Sequence, residues 1–389
     1  MAQDHLVQEA FGPPLAPREA AGAIGLGVVS LLLAGVLPAI LGALNAEGRI
    51  GASGIGTCAM VEALAVAFAA ALAGILIPPK RLHWIGALAS AALVAANLAT
   101  LHASGTSVYV IRACAGIPEG VLLWLMVSMV ARTELPERWS AVFFTALVTS
   151  QLVLALLGTY VMSRWGADGG FAMLAVASTP GIVFAFLAPD RYAPLPKPEG
   201  ASGFPPLRGM VALVATLVFA CANGAVAIYL QPLAHQAGLS ANVARIALSA
   251  SLAAQIAGGS AATVLAGRVQ YFTVFVFTTV CFLAAWVLFG LSIPAWLFIA
   301  ANALSGFAAV LMGPFLVPMT IEADPSRRAA LQSASAQVLA GAAGPACAIF
   351  AVGEKDVRGV LLLGACLLLA GLAIIAGLHF SARRERASR

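Results

Sequence analysis

The sequence predicts an all-α membrane protein of twelve transmembrane helices in two pseudo-symmetric six-helix bundles. Three observations predict it. The 389 residues are 61% hydrophobic and 10% charged, with a mean hydropathy of +0.97, whereas soluble domains carry about 25% charged residues. The apolar residues fall into runs long enough to cross a hydrocarbon core of roughly 30 Å at 1.5 Å per residue. Matching residues recur in the two halves of the chain at a spacing of about 190 residues.

Charges, prolines and glycines delimit the runs in order. The expected spans are 20–44, 53–77, 84–102, 107–131, 139–163, 170–188, 209–231, 242–266, 270–290, 294–318, 328–352 and 358–380. The loops between them are short except for Pro189 to Leu207. That segment holds Pro189, Pro194, Pro196, Pro198, Pro205 and Pro206 with mixed charges, and reads as an extended linker. The expected division is therefore a first bundle over 1–188, a linker over 189–207, and a second bundle with a basic tail over 208–389. The stretch before Arg18 lacks the basic-then-apolar order of a cleaved signal peptide.

Lys and Arg placement sets the expected orientation. With the N-terminus inside, one side carries Arg18, Lys80, Arg81, Arg132, Arg138, Arg191, Lys197, Arg208, Arg268, Arg327, Arg328, Arg383, Arg384, Arg386 and Arg389. The other carries Arg49, Arg164, Arg245, Lys355 and Arg358. This bias predicts a multi-pass protein of a bacterial inner membrane with both termini and the linker cytoplasmic.

Arg112 is left inside the membrane. It lies in Arg112-Ala113-Cys114-Ala115-Gly116-Ile117-Pro118-Glu119-Gly120, within the fourth span. Seven residues are about two helical turns, so Arg112 and Glu119 point to one side, roughly 10 Å apart along the axis. Gly116 and Gly120 share that side and leave room for a neighbouring helix or a ligand. A charge at this depth costs at least a few kcal/mol unless it faces protein or a wet cavity. Glu62, near the middle of the second span, is a third such group. One arginine neutralises one carboxylate, so the second is expected to hold a proton, as a coupling site requires. Fixing of helix packing by these charges is the structural alternative.

The repeat is visible in particular residues. Arg112-x-x-x-Gly116 is echoed by Asn302-x-x-x-Gly306, Pro136-x-Arg138 by Pro325-x-Arg327, Ala73-Gly74 by Ala266-Gly267, and Glu62 by Gln255. Parallel repeats of this kind put the ligand site between the halves near the bilayer midplane. Gln151 in the first half, and Asn223, Gln231, Gln255, Asn302, Gln332 and Gln337 in the second, are neutral hydrogen-bonding groups at membrane depth. Gln151, Asn223, Gln255, Asn302 and Gln337 are the candidate substrate contacts; interhelical glue is the alternative for each.

In layout and in span four the chain resembles the major facilitator superfamily. Arg112-x-x-x-Gly116-x-x-Glu119-Gly120 is similar to the family's arginine-then-glycine motif, which implies proton coupling. The loop Gly74-Ile75-Leu76-Ile77-Pro78-Pro79-Lys80-Arg81 matches the glycine and basic pair of the family's Gly-x-x-x-Asp-(Arg/Lys) loop but lacks the aspartate. The Gly-Pro of drug antiporters is missing from the fifth span, and Gly341-Ala342-Ala343-Gly344-Pro345 lies in the eleventh.

No Gly-x-x-x-x-Gly-Lys-(Ser/Thr) cradle and no Gly-x-Ser-x-Gly elbow occurs. No catalytic residue and no cofactor are therefore expected, and an ion or solute gradient must supply the work. The six cysteines and five histidines have no metal-ligand spacing. The basic residues are dispersed over loops, which argues against nucleic acid as a partner. The expected partners are a small-molecule substrate, protons and membrane lipids, around a monomer. Arg112 would suit an anionic substrate, and an unpaired Glu62 or Glu119 a cation or a proton. The leading expectation is a proton-coupled secondary transporter of a small organic solute. An uncoupled facilitator, an efflux pump for amphipathic compounds, and a non-transporting sensor that kept the fold are the alternatives; the short termini suggest no added soluble domain.

Overall fold

The computed structural model describes residues 16–192, 204–348, 350–352 and 356–387. A helix stands at each of the twelve expected places. In chain order these are α1 (Pro17–Ser30) and α2 (Leu32–Ala46), which share the first span, then α3 (Ala52–Leu76), α4 (Leu82–Ala99), α5 (Thr106–Val130), α6 (Pro136–Ser178) and α7 (Pro180–Leu187). The second half has α8 (Leu207–Ala227), α9 (Leu230–Gln236), α10 (Ala241–Leu265), α11 (Tyr271–Phe289), α12 (Ala295–Met312), α13 (Leu316–Ala323), α14 (Arg328–Ala348) and α15 (Gly359–Ala387). Among the described residues, 11 helices are long and apolar enough to cross a membrane. The other long helix, α14, has 21 residues but carries Gln332, Ser333, Ser335 and Gln337, and it packs along α8.

Local chemistry sets the breaks. The first span divides at Leu31, whose φ of −120° leaves the helical region; the Gln151 side chain donates to the Leu31 carbonyl at 2.8 Å. The fifth and sixth spans are two helices that meet at Gly166, where the backbone leaves the helical region with φ at 58°, a positive value that glycine adopts without a Cβ penalty. Asp324 stops α13 and starts α14, its two carboxylate oxygens accepting from the Ser326 N–H at 3.0 Å and the Ala329 N–H at 2.8 Å. The last helix runs to Ala387, so much of the expected basic tail continues it. Most of the expected linker lies outside the described residues. Its first residues are held: the Leu82 N–H donates to Asp190 O at 3.0 Å and the Tyr192 N–H to Pro79 O at 3.1 Å.

The described residues fall into two compact units, 16–134 with those of 146–204, and 135–145 with those from 205 on. In the first, α3 packs along α5, α4 along α5 and α7, and α1 along α7. In the second, α10 packs along α12, α11 along α12 and α15, and α8 along α15. These are the same pairings shifted by half the chain. Small residues allow the tightest crossings. A Cβ added at Gly116 would stand 2.7 Å from both Ala65 Cβ and Glu62 O, and one at Gly306 would stand 2.6 Å from Ser251 O. The cores differ in content. The second unit buries Phe219, Phe275, Phe282, Phe289 and Phe298, with Phe219 edge-on to Phe275 at 5.1 Å. The first buries Glu62, Arg112 and Glu119 together, whereas the second buries Asp324 at a helix cap.

Candidate functional site

Helical spacing and the close α3–α5 crossing bring Glu62, Arg112 and Glu119 together in the interior of the first unit. They are 4%, 1% and 5% exposed. Arg112 Nη2 is paired with Glu62 Oε1 and lies 3.6 Å from Glu119 Oε1. Arg112 Nη1 donates to Asn97 Oδ1 of α4 at 2.8 Å. The guanidinium carbon is 5.5 Å from the centre of the Phe171 ring, within cation–π range. Asn97 Nδ2 in turn points at Ser178 Oγ, 3.5 Å away. Glu62 Oε2 and Arg112 Nε are buried with no hydrogen-bond partner among the described residues. Arg112 is therefore shared unequally. It holds Glu62 directly and Glu119 at longer range, two carboxylates against one fixed positive charge.

Asn97 and Phe171 were not among the sequence candidates. Asn97 is an amide in an apolar run like the candidates that were named, but it has no echo or motif to set it apart, and a phenyl ring in such a run carries no signal at all.

The five neutral candidates separate. Gln151 is committed to the Leu31 carbonyl and its Cγ closes the space beside Gly35. Asn302 is buried and donates to Ala247 O at 2.8 Å, tying α12 to α10. Gln337 Nε2 reaches Ser333 O of its own helix at 3.5 Å. Asn223 and Gln255 are half-buried, and no hydrogen bond of either side chain occurs among the described residues. None of the five lies in the charged cluster.

Two further polar clusters escaped the sequence reading because their members lie in loops or at helix ends far apart in the chain. In the first unit, Arg49 Nη1 pairs with Asp168 Oδ1 at 2.6 Å, Nε donates to Ala103 O at 2.7 Å and Nη2 to Thr100 O at 3.0 Å. Asp168 also accepts from the His102 N–H at 3.0 Å, and Glu47 Oε1 accepts from the Ala167 N–H at 2.7 Å. One guanidinium thus stitches three interhelical loops. In the second unit, the Tyr271 hydroxyl donates to Glu322 Oε1 at 2.9 Å and lies 3.0 Å from His379 Nδ1. The His379 ring stacks on Phe272 at 4.8 Å. Near the start of the linker, Tyr192 donates to Leu125 O at 2.9 Å, and burial pushes its ionisation above the ordinary tyrosine range.

A sequence profile of the Major Facilitator Superfamily matches residues 21–348. No curated protein matches the chain by sequence. Among solved structures, the human organic anion transporter MFSD10 (TETRAN) superposes with a TM-score of 0.74 at 14% identity, over 93% of this chain and 100% of that one. The fucose transporter FucP in the outward conformation superposes with a TM-score of 0.73 at 12% identity, over 92% and 98%. The proton:xylose symporter XylE superposes with a TM-score of 0.63 at 11% identity, over 92% and 93%. At these identities the likeness is one of fold.

Proposed function

The chain belongs to the major facilitator superfamily of membrane transporters, and we propose that it is a proton-coupled secondary transporter of a small organic solute, working by alternating access of its two six-helix halves. The observation that carries this reading is the buried Glu62–Arg112–Glu119 cluster. With both carboxylates ionised it would hold a net charge of −1 in a low-dielectric interior, which is costly. A proton on one carboxyl removes that charge. Glu62 is the partner Arg112 holds directly, so Glu119 is the group that takes and releases the proton. Arg112 is engaged on both sides and buried, so it acts on Glu119 and not on an anionic substrate. Substrate recognition falls to neutral groups, of which Asn223 and Gln255 are uncommitted among the described residues. That XylE is a proton:xylose symporter is in keeping with this reading.

The test is flux of a panel of labelled sugars, organic acids and amines into proteoliposomes, with and without a pH gradient and a protonophore. One compound class should accumulate only with the gradient. Glu119→Gln, which mimics the protonated group, should abolish accumulation and retain substrate-for-substrate exchange, because exchange need not release the proton. If Glu62→Gln and Glu119→Gln both accumulate substrate with the wild-type pH dependence, the protein is a uniporter or couples to another ion.

A further inference from the structure

An apolar groove of about 650 Å³ runs along the outer side of the α3–α5 crossing. Phe68, Leu72 and Leu76 of α3 and Val110, Cys114 and Ile117 of α5 line it, over a floor that includes Ala65, Ala69 and Ala113. Lipid exposure alone would make such residues apolar without implying a site. The groove is concave, however, because the two helices cross on small residues. It also ends at Ile77, and the next residue, Pro78, lines a second pocket of about 410 Å³ with Lys80, Arg81 and Trp84.

The span ends at Leu76, so Lys80, Arg81 and Trp84 stand at headgroup depth, where tryptophan and basic side chains are favoured. Lys80 and Arg81 are exposed, and neither side chain forms an ion pair among the described residues. The nearby carboxylate, Asp190, faces His83 at 3.7 Å and Arg191 at 3.9 Å instead. The backbone beneath the basic pair is fixed by the bonds from Leu82 N–H to Asp190 O and from Tyr192 N–H to Pro79 O. Trp84 is braced edge-on against Phe186 at 5.7 Å. A pair of exposed cations with no ion pair among the described residues thus adjoins an apolar groove whose walls, Phe68, Leu72, Leu76, Val110 and Ile117, are exposed.

We propose that this composite surface binds one anionic glycerophospholipid, its acyl chain along the α3–α5 groove and its phosphate against Lys80 and Arg81. The occupant must be amphipathic and negatively charged at one end, which a soluble phosphate or a second apolar helix face is not. The groove floor is formed by the backbone crossing that also sets Glu62 against Arg112, through Gly116.

Native mass spectrometry of the full chain, from micelles containing equal phosphatidylglycerol and phosphatidylcholine, tests this. The wild type should retain phosphatidylglycerol over phosphatidylcholine by a factor on the order of ten, as two basic residues at a headgroup imply. Lys80→Gln with Arg81→Gln should bring the two lipids to parity; both lie outside the packed core, so folding is spared. Ala113→Trp, filling the groove, should reduce retention of both lipids. The proposal is overturned if the double variant keeps the wild-type preference, or if Ala113→Trp retains lipid as the wild type does. It is equally overturned if millimolar glycerol phosphate displaces the lipid, or if the groove variant instead dissociates a dimer.

Discussion

At Arg112 a single guanidinium answers to Glu62, Glu119 and Asn97 with 1% of its surface exposed. Removing one partner of a buried ion pair leaves the other uncompensated, typically at 3–5 kcal/mol. Arg112→Met leaves two carboxylates facing each other and should lower stability by about that amount, read as thermal unfolding in detergent. Glu119→Gln leaves a neutral Glu62–Arg112 pair and should change stability by under about 1 kcal/mol. Reversal of this order would mean that Glu119 is the ionised partner in the resting protein. The three charges were legible in the sequence because ionised groups in apolar runs are anomalous. Their unequal sharing was not, since it depends on where the α3 and α5 backbones cross.

Helix crossings and loop ties carry the element scale. A leucine at 116 would drive its Cβ to 2.7 Å from Ala65 Cβ and Glu62 O, so α3 and α5 must separate. Gly116→Leu should therefore cost about 1–3 kcal/mol and also depress gradient-driven flux, because Glu62 moves with the backbone. Gly42→Ala is the matched control, since a Cβ there meets nothing within 4 Å; it should be neutral or slightly stabilising. At the loop end, Arg49→Ala should lower the unfolding temperature, and Arg49→Lys should fail to restore it. A lysine is a point charge without the fork that reaches Asp168, Ala103 and Thr100 together. Spans were legible because twenty apolar residues in a row have few other fates. The break at Leu31 and the tie through Arg49 were not, because each is satisfied by a partner more than fifty residues away in the chain.

Across the whole molecule the two halves keep the same helix pairings while dividing the chemistry. At the matched glycine crossings the first half has Arg112 and Glu62 where the second has Asn302 and Ser251, so Gln255, paired with Glu62 by sequence offset, lies one helical turn further along α10. Asn302 spends its amide on Ala247 O, the structural role that the sequence alone left open for every neutral candidate. Gln255, half-buried in α10, and Asn223 keep theirs uncommitted among the described residues. On the reading proposed above, the Glu62–Arg112–Glu119 cluster handles the proton and the uncommitted amides recognise the solute, while in the second half Asp324 and the Glu322–His379 pair cap and tie helices. The kinetic consequence follows from where each interaction is made. Gln255→Ala and Asn223→Ala remove neutral hydrogen bonds, each worth about 0.5–1.5 kcal/mol, so each should raise KM roughly two- to tenfold. The pH profile and protonophore sensitivity should stay as in the wild type, because no titrating group is touched. Glu119→Gln should do the reverse, flattening the pH profile while substrate exchange keeps its KM. Measuring initial uptake against pH and substrate concentration for all three variants decides the matter. A changed pH profile in Gln255→Ala, or a raised exchange KM in Glu119→Gln, would show that proton and solute share one site and would end the division of labour proposed for the two halves.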